Sequence, residues 1–541
     1  MARFCFLLCC ISLGATEITL DFLQKQPKGF ARDFYILRFL DQQNTTAQEA
    51  LQAYDLVYKK NAKIEKSMNQ KGYVHTLPRD LACKNLSIEE LVKQDDQCIT
   101  YGLKLSSVSS ITQAQAQEMI KKLQSSNPLL AKEVEILRSN AILDSILQNK
   151  NAQIFGEIFY GLNLKERIKT FNHRIDPQAL GTLSQQDAPI FNKMLQYILL
   201  SQQFHHFQKS ILEAQINTQD AGLLLLLGIS HAKNKQPKIA QQYLAQALTY
   251  AKYQAQKDKV LFWQYQLTHD QSFLNQLAKS PDANLYSIYA NQTLQTKPSY
   301  NLISKIDGLT QENINFNISN PFEWQNLKDS LIKIQTKEEF KKTLDQRLAF
   351  TMTEPHYAYL LNRIKQYKGN YFLMPYSNAL TWENNHQKAL TYAIAKQESN
   401  FLPALVSSSY ALGMMQIMPF NVAPFAKTMG KKNITLDDMF KPHIALEFGR
   451  YYLKELEEEF KHPLFVAYAY NGGPGFWRRT LAKKELFVKN RAYEPWLSLE
   501  LIPYEESKNY GQIVLANYII YQQLLGKSIN VEKFLQQTLI N

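Results

Sequence analysis

Between about residues 17 and 370 the chain offers one helical pattern after another and no strand pattern. In "AQEALQAYDLVYKKNAKIEKSM" and "AQAQEMIKKLQSSNPLLAKEVEILRSNAILDSIL" apolar residues recur at three- and four-residue spacing, and Ser, Asn and Pro break the runs. A stretch of that length exceeds what one hydrophobic core usually supports. Stacked helix pairs solve the problem, because each pair buries its core against its neighbours and leaves an extended, curved surface. Only 19 Gly and 19 Pro in 541 residues fit a helix-dominated chain with short connections.

The sharpest unit is "AGLLLLLGISHAKNKQPKIAQQYLAQALTYAKYQ". Leu227 and Gly228 fall in its first helix, and Ala240, Leu244 and Ala247 in its second. These spacings resemble a tetratricopeptide-type helix pair, in which small residues let two helices approach closely. Near residue 371 the pattern changes. "NYFLMPYSNALTWENN" brings Pro375 and an aromatic, turn-rich passage, and short helices with motif-dense loops follow. The expectation is a mainly all-α protein in three parts: a signal peptide over 1–16, an α-superhelical, solenoid-type region over 17–370, and an α-rich domain over 371–541.

"MARFCFLLCCISLGA" carries one positive charge, Arg3, before an apolar run to about Ala15. The run is shorter than the roughly 20 residues of a membrane span and suits a secretory signal cleaved near Gly14 and Ala15. Cys9 stands where lipid attachment at Cys10 would favour a small residue. An exported mature chain keeps only Cys83 and Cys98, a disulfide candidate in an oxidising compartment. No CxxC, clustered His or phosphate-cradling Gly-rich loop is present, so no metal or organic cofactor is expected. The net charge of +13 calls for an anionic partner. Lys and Arg are scattered, which argues against nucleic acid.

One carboxylate is oddly placed. In "HQKALTYAIAKQES" Leu390, Ile394 and Glu398 lie on one helical stripe, so Glu398 ends a face that is otherwise apolar. Asn400 and Pro403 stop the helix just beyond it. Desolvation and the negative end of the helix dipole both raise the pKa of such a carboxyl, which suits a general acid. A solvated last turn would give the same sequence, and the residue alone does not choose.

Its surroundings do. "ESxxxP", "S...GMMQIMP", "LDDMFKPHIALEFGRYYLKEL", "AYNGGPG" and "IPYEESKNY" follow in order over roughly residues 375 to 525. Together they closely resemble the catalytic domain of the soluble lytic murein transglycosylases, a bacterial family with a goose-type lysozyme-like fold and an N-terminal helical ring. The resemblance places the catalytic glutamate at Glu398 and the serine of the next turn at Ser407. It places the Gly-Leu-Met-Gln motif on Gly413 to Gln416, with Met418 and Pro419 after it. The Ala-Tyr-Asn motif falls on Ala469, Tyr470 and Asn471, and the late Glu-Thr motif on Glu506 and Ser507, followed by Tyr510. Met414 and Ser507 depart mildly from the pattern. Tyr410 departs more, standing where the family has a small residue, and this puts the cleft-side loop in question.

The implied chemistry needs one acid. Glu398 would protonate the oxygen between N-acetylmuramic acid and N-acetylglucosamine, then accept the proton of the muramoyl 6-hydroxyl as it closes a 1,6-anhydro ring. Ser407 and Gln416 would hydrogen-bond substrate, and Met418 would offer an apolar wall. Tyr470 would reach Glu398 or a sugar, Asn471 would fix the loop, and Glu506 would orient the tyrosine or bind substrate. For Asn471 and Tyr510 a purely structural role stays open. The implied partners are peptidoglycan glycan strands in the periplasm, with cell-wall synthesis or remodelling proteins as further candidates. Two other readings stand beside this one. A hydrolase of the same fold would enlist Asp437 or Asp438, and a non-catalytic murein-binding scaffold would use the helical region alone.

Overall fold

The computed structural model describes residues 17–70, 77–311, 316–364 and 369–540. The expected signal segment 1–16 lies outside the described residues. Among those residues the chain is helix after helix, and its two short strands, Leu302–Ile303 and Asn370–Tyr371, pair in parallel. None of the helices is long and apolar enough to cross a membrane.

Local chemistry sets where the helices begin. Thr46, Ser87, Thr112 and Asn163 each cap a helix with the side chain and receive a Glu or Gln three residues on, which satisfies two orphan backbone donors at once. In the hairpin Ala221–Lys233 and Pro237–Tyr250, Gly228 faces Leu244, and a Cβ at Gly228 would stand 2.8 Å from that side chain. Leu227, Ala240, Leu244 and Ala247 are all buried there, so the small residues do let the two helices close up. Cys83 and Cys98 join the helices Arg79–Asn85 and Asp96–Gly102 in a disulfide with Cα atoms 5.3 Å apart. A side chain at Gly102 would run into the Cys83 carbonyl.

After residue 371 the packing centres on one helix, Glu505–Leu524, which is buried over most of its length. The helices Asn385–Ser399 and Pro463–Gly472 lie against it. Gly511 admits the Tyr468 ring where any Cβ would collide.

Two places show how the helical region grips these later helices. At the first, the Tyr35 hydroxyl and the Arg38 guanidinium both donate to Asp437, at 2.9 and 2.7 Å. Beside them Asn61 donates to the Tyr410 hydroxyl at 2.7 Å, and Lys63 to the Ser409 carbonyl at 2.7 Å. At the second, Lys259 pairs with the buried Glu500 at 3.2 Å, and the Tyr286 hydroxyl donates to the same carboxylate at 2.7 Å. Burial alone would raise the Glu500 pKa, but the Lys259 and Lys508 ammonium groups outweigh it and hold the carboxyl below its usual range. Phe262 and Trp496 complete the contact with ring centroids 4.3 Å apart.

One hydrophobic core therefore runs through both regions. A smaller one gathers Trp324, Phe340, Leu344, Leu348 and Leu360, and takes Leu402 from the loop after Glu398. His356 is buried beside Phe316 and Trp324 at this smaller core, with no hydrogen-bond partner for either ring nitrogen among the described residues.

Candidate active site

The helix Asn385–Ser399 ends because Asn400 takes the left-handed conformation, φ 50°, and caps it with a bond to the Lys396 carbonyl. That stop leaves Glu398 in the last turn. The next residue holds the turn in place: buried Ser399 donates to the Met414 carbonyl at 2.8 Å, stapling the helix end to the Gly-Met-Met-Gln loop. Glu and Ser thus divide the work of their motif.

The loop itself is tightly constrained. Gly413 sits at φ +71°, and a Cβ there would lie 1.9 Å from the Met439 carbonyl, so no other residue fits. Gln416 also has positive φ, 48°, and its side-chain amide donates to the Gly413 carbonyl at 2.7 Å. Among the described residues no donor reaches the Gln416 side-chain oxygen. Ser407 is tied down as well, since its hydroxyl oxygen accepts from the backbone N–H groups of Ser409 and Ala411. Met418 is half-buried at the start of the helix Pro419–Thr428.

Glu398 is crowded by protein atoms yet retains some accessible surface, the mark of a group at the bottom of a cleft. Desolvation pushes its carboxyl up to about 7. The hydrogen bond from Tyr510 works against this, and the neighbouring Glu506 charge adds to it. A carboxyl with that pKa holds and releases a proton near neutrality.

Tyr510 is the hydroxyl that reaches Glu398, donating at 2.6 Å to one carboxylate oxygen. Of the two contacts expected for Tyr470, the hydrogen bond to Glu398 is not made. Its hydroxyl donates to the Met415 carbonyl at 2.7 Å, so it braces the loop; burial raises its pKa, and the nearby Glu398 charge adds to that. Among the described residues Glu506 makes no hydrogen bond to a tyrosine. Its carboxylate accepts from Asn471 at 3.4 Å, and Asn471 in turn accepts from Ser507 at 2.7 Å. The late Glu-Ser motif and the Ala-Tyr-Asn motif are therefore one hydrogen-bonded unit. The rings of Phe425, Tyr452 and Tyr470 form a row at about 5 Å spacing that ends at this site. Phe425 and Tyr452 were not singled out from the sequence; "EFGRYYL" contains the tyrosine but gives no sign of which face it takes.

Asp437 and Asp438 are occupied elsewhere. Asp437 is held by Arg38 and Tyr35, while Asp438 caps a short 3₁₀ turn at Thr435 and pairs with Lys441. Tyr410 is likewise no part of the cleft wall. It is buried against Phe34, with Lys63 over its ring, at the junction with the helical region. No group of three or more His, Cys, Asp or Glu that could hold a metal occurs among the described residues.

The geometry can be set beside known proteins. The Transglycosylase SLT domain matches residues 375–491. The soluble lytic murein transglycosylase of Escherichia coli K12 is 30% identical over 136 residues, which cover 25% of this chain and 20% of that one. A Haemophilus influenzae protein is 31% identical over 171 residues, 30% of this chain and 27% of its own. These matches therefore span about a quarter or less of the curated relatives' length. The lytic transglycosylase Slt of Pseudomonas aeruginosa, solved as an inactive mutant, superposes with a TM-score of 0.52 at 14% identity, over 94% of this chain and 84% of that one. That likeness shows the fold: a helical superhelix joined to a lysozyme-like domain.

Proposed function

We propose, for a chain whose residues 375–491 belong to the Transglycosylase SLT domain family, that it cleaves peptidoglycan glycan strands without consuming water. The bond is the β-1,4 link between N-acetylmuramic acid and N-acetylglucosamine. The observation that carries this reading is Glu398, a desolvated carboxyl pushed to about 7 and bonded to Tyr510.

In the proposed reaction, protonated Glu398 gives its proton to the glycosidic oxygen as the anomeric bond breaks. The carboxylate left behind takes the proton of the muramoyl 6-hydroxyl as that oxygen bonds to the anomeric carbon. One residue serves as acid and then as base, so a second carboxylate is not required. Tyr510 stabilises the charged form between the two steps. The free Gln416 oxygen suits an acetamido N–H, and the Phe425–Tyr452–Tyr470 row suits the apolar faces of sugars.

A hydrolase would need a second carboxylate to activate water or attack the sugar. With Asp437 and Asp438 engaged, the acid whose charge acts on Glu398 among the described residues is Glu506, itself bonded to Asn471. Product mass decides between the readings. Purified sacculi treated with the protein are expected to release 1,6-anhydro muropeptides, each lighter by one water than its hydrolytic counterpart. Reducing-end products alone would establish the hydrolase, and no soluble product would leave the scaffold reading. The segment 1–16 is proposed to export the chain to the periplasm. N-terminal sequencing of the exported protein should then begin within a few residues of Thr16.

A further inference from the structure

The turn 407–411 joins the site at its base and the helical region at its tip. The base is a set of short backbone pairings. Val406 pairs with Leu412 in an antiparallel bridge, and Leu412 pairs again with Ile417. The Gly413 N–H donates to the Leu405 carbonyl at 2.9 Å. The Gly-Met-Met-Gln loop therefore hangs on the stem of this turn. Through Met414 and Ser399 the same loop holds the helix end that carries Glu398.

Tyr410 forms the tip. It is buried and takes the left-handed conformation, φ 65°, which costs a non-glycine residue energy unless its surroundings hold it there. Its side chain supplies the hold. The hydroxyl oxygen accepts from the Asn61 side-chain amide at 2.7 Å, and the ring centroid lies 6.2 Å from that of Phe34. Lys63 adds a second tie, donating to the Ser409 carbonyl at 2.7 Å. A small residue at position 410 could reach neither Asn61 nor Phe34.

Asn61 is itself fixed. Its side-chain oxygen accepts from the backbone N–H groups of Lys63 and Ile64, at 3.0 and 3.1 Å, where the helix Ala62–Gln70 begins. With the oxygen so engaged, the amide NH2 is the end that faces Tyr410. The buried Asp33 carboxylate in turn accepts from the N–H groups of Tyr58 and Lys59, at 2.7 and 2.9 Å, and sets the chain that leads to Asn61.

We propose that Asn61 is a positioning residue: acting through Tyr410, it holds the turn 407–411 and so keeps Gln416 where substrate meets it. The substrate is the glycan strand of the reading above, and this part of the proposal rests on that reading. The helical region thus shapes the site through one loop, by a contact that a tyrosine at position 410 makes possible.

The test is steady-state turnover of soluble peptide-free glycan chains by the full-length mature protein. Asn61→Ser keeps a helix cap but is too short to reach Tyr410, and Tyr410→Phe keeps the ring but loses the acceptor. Each is expected to raise KM about 5-fold, the effect of one neutral hydrogen bond, with kcat close to wild type. The double variant should be no worse than either alone, because both changes remove the same bond. Hydrogen exchange over 405–417 should quicken in Asn61→Ser, while the helix Glu505–Leu524 keeps its protection. An unchanged KM, a fall in kcat alone, as a merely structural contact would give, or multiplying effects in the double variant would each overturn the proposal. So would unchanged exchange over 405–417. If the wild type releases no product, it is the reaction reading that fails, and the exchange measurement still decides whether Asn61 holds the loop.

Discussion

The helical region and the site region use the backbone differently. Among the described residues up to 370, five non-glycine residues have positive φ, and three of these, Lys150, His269 and Gln295, simply cap helices. From 371 onward there are eleven, and Asn400, Phe401, Tyr410 and Gln416 fall within the short stretch that follows Glu398. Such conformations cost energy and persist only where the surroundings over-determine them. The helical region is built from inexpensive local choices repeated many times. The site is a short, strained path held by bonds to distant parts of the chain.

That contrast can be broken most forcefully at Glu398. Glu398→Gln keeps the shape and the bond from Tyr510 but has no proton to give, so turnover should fall by about 10²–10⁴-fold. The same change should raise Tm at neutral pH. The folded carboxyl titrates near 7 instead of in its usual range, so the folded state binds more protons than the unfolded one between those values. Stability is thus lost as pH rises through that window, and glutamine removes the loss. Near-wild-type release of anhydro products by a folded Glu398→Gln protein would falsify the assignment.

Glycine substitutions sharpen the comparison next. Gly413→Ala meets a backbone carbonyl at positive φ and should cost about 3 kcal/mol or more. Gly228→Ala meets a leucine side chain that can shift, and should cost about 1–2 kcal/mol. Denaturant unfolding of both variants measures the gap, and equal losses would erase the distinction between the regions.

Tyr510→Phe comes next in size. Losing its bond to the charged carboxylate should reduce turnover about 10-fold and raise the Glu398 pKa further, since the bond lowers it. The fall in activity that sets in as pH climbs past about 7 should then begin at higher pH. A purely structural tyrosine would lower the rate without moving the profile.

A further test belongs to the helical side. Burial pushes His356 down to about 3, so below its usual 6.5 the unfolded chain takes up a proton that the folded chain refuses. Stability should drain away as the pH falls through that interval. His356→Phe should flatten the decline seen in thermal melts from pH 6.5 to roughly pH 4.

What could be read from the sequence follows the same divide. The helices of 17–370 were legible because their contacts are local, so the 3.6-residue period, the caps and Gly228 all speak within one element. The site was legible as an ordered set of motifs and as one misplaced carboxylate. Its wiring was not. Tyr510 meets Glu398 across 112 residues and Tyr470 meets the Met415 carbonyl across 55, and no periodicity records such pairings. Tyr410 shows the point from the other side. It looked like a change in the cleft because the cleft is what its neighbours build, whereas its partners Asn61 and Phe34 lie some 350 residues away in the chain.

The unbroken core bears on inheritance. Phe262 packs against Trp496, Tyr286 bonds Glu500, and Asn61 bonds Tyr410, so the surfaces that face the later helices belong to neither region alone. The part that carries Glu398 is not a cassette that can be lifted out and set on another scaffold. Cut free, it would bare Trp496 and strand the buried Glu500 without its lysine. The repeat-like helices, whose own fold would tolerate wide variation, are held to a narrow path wherever they dock, and a change on one side of the junction must be matched on the other.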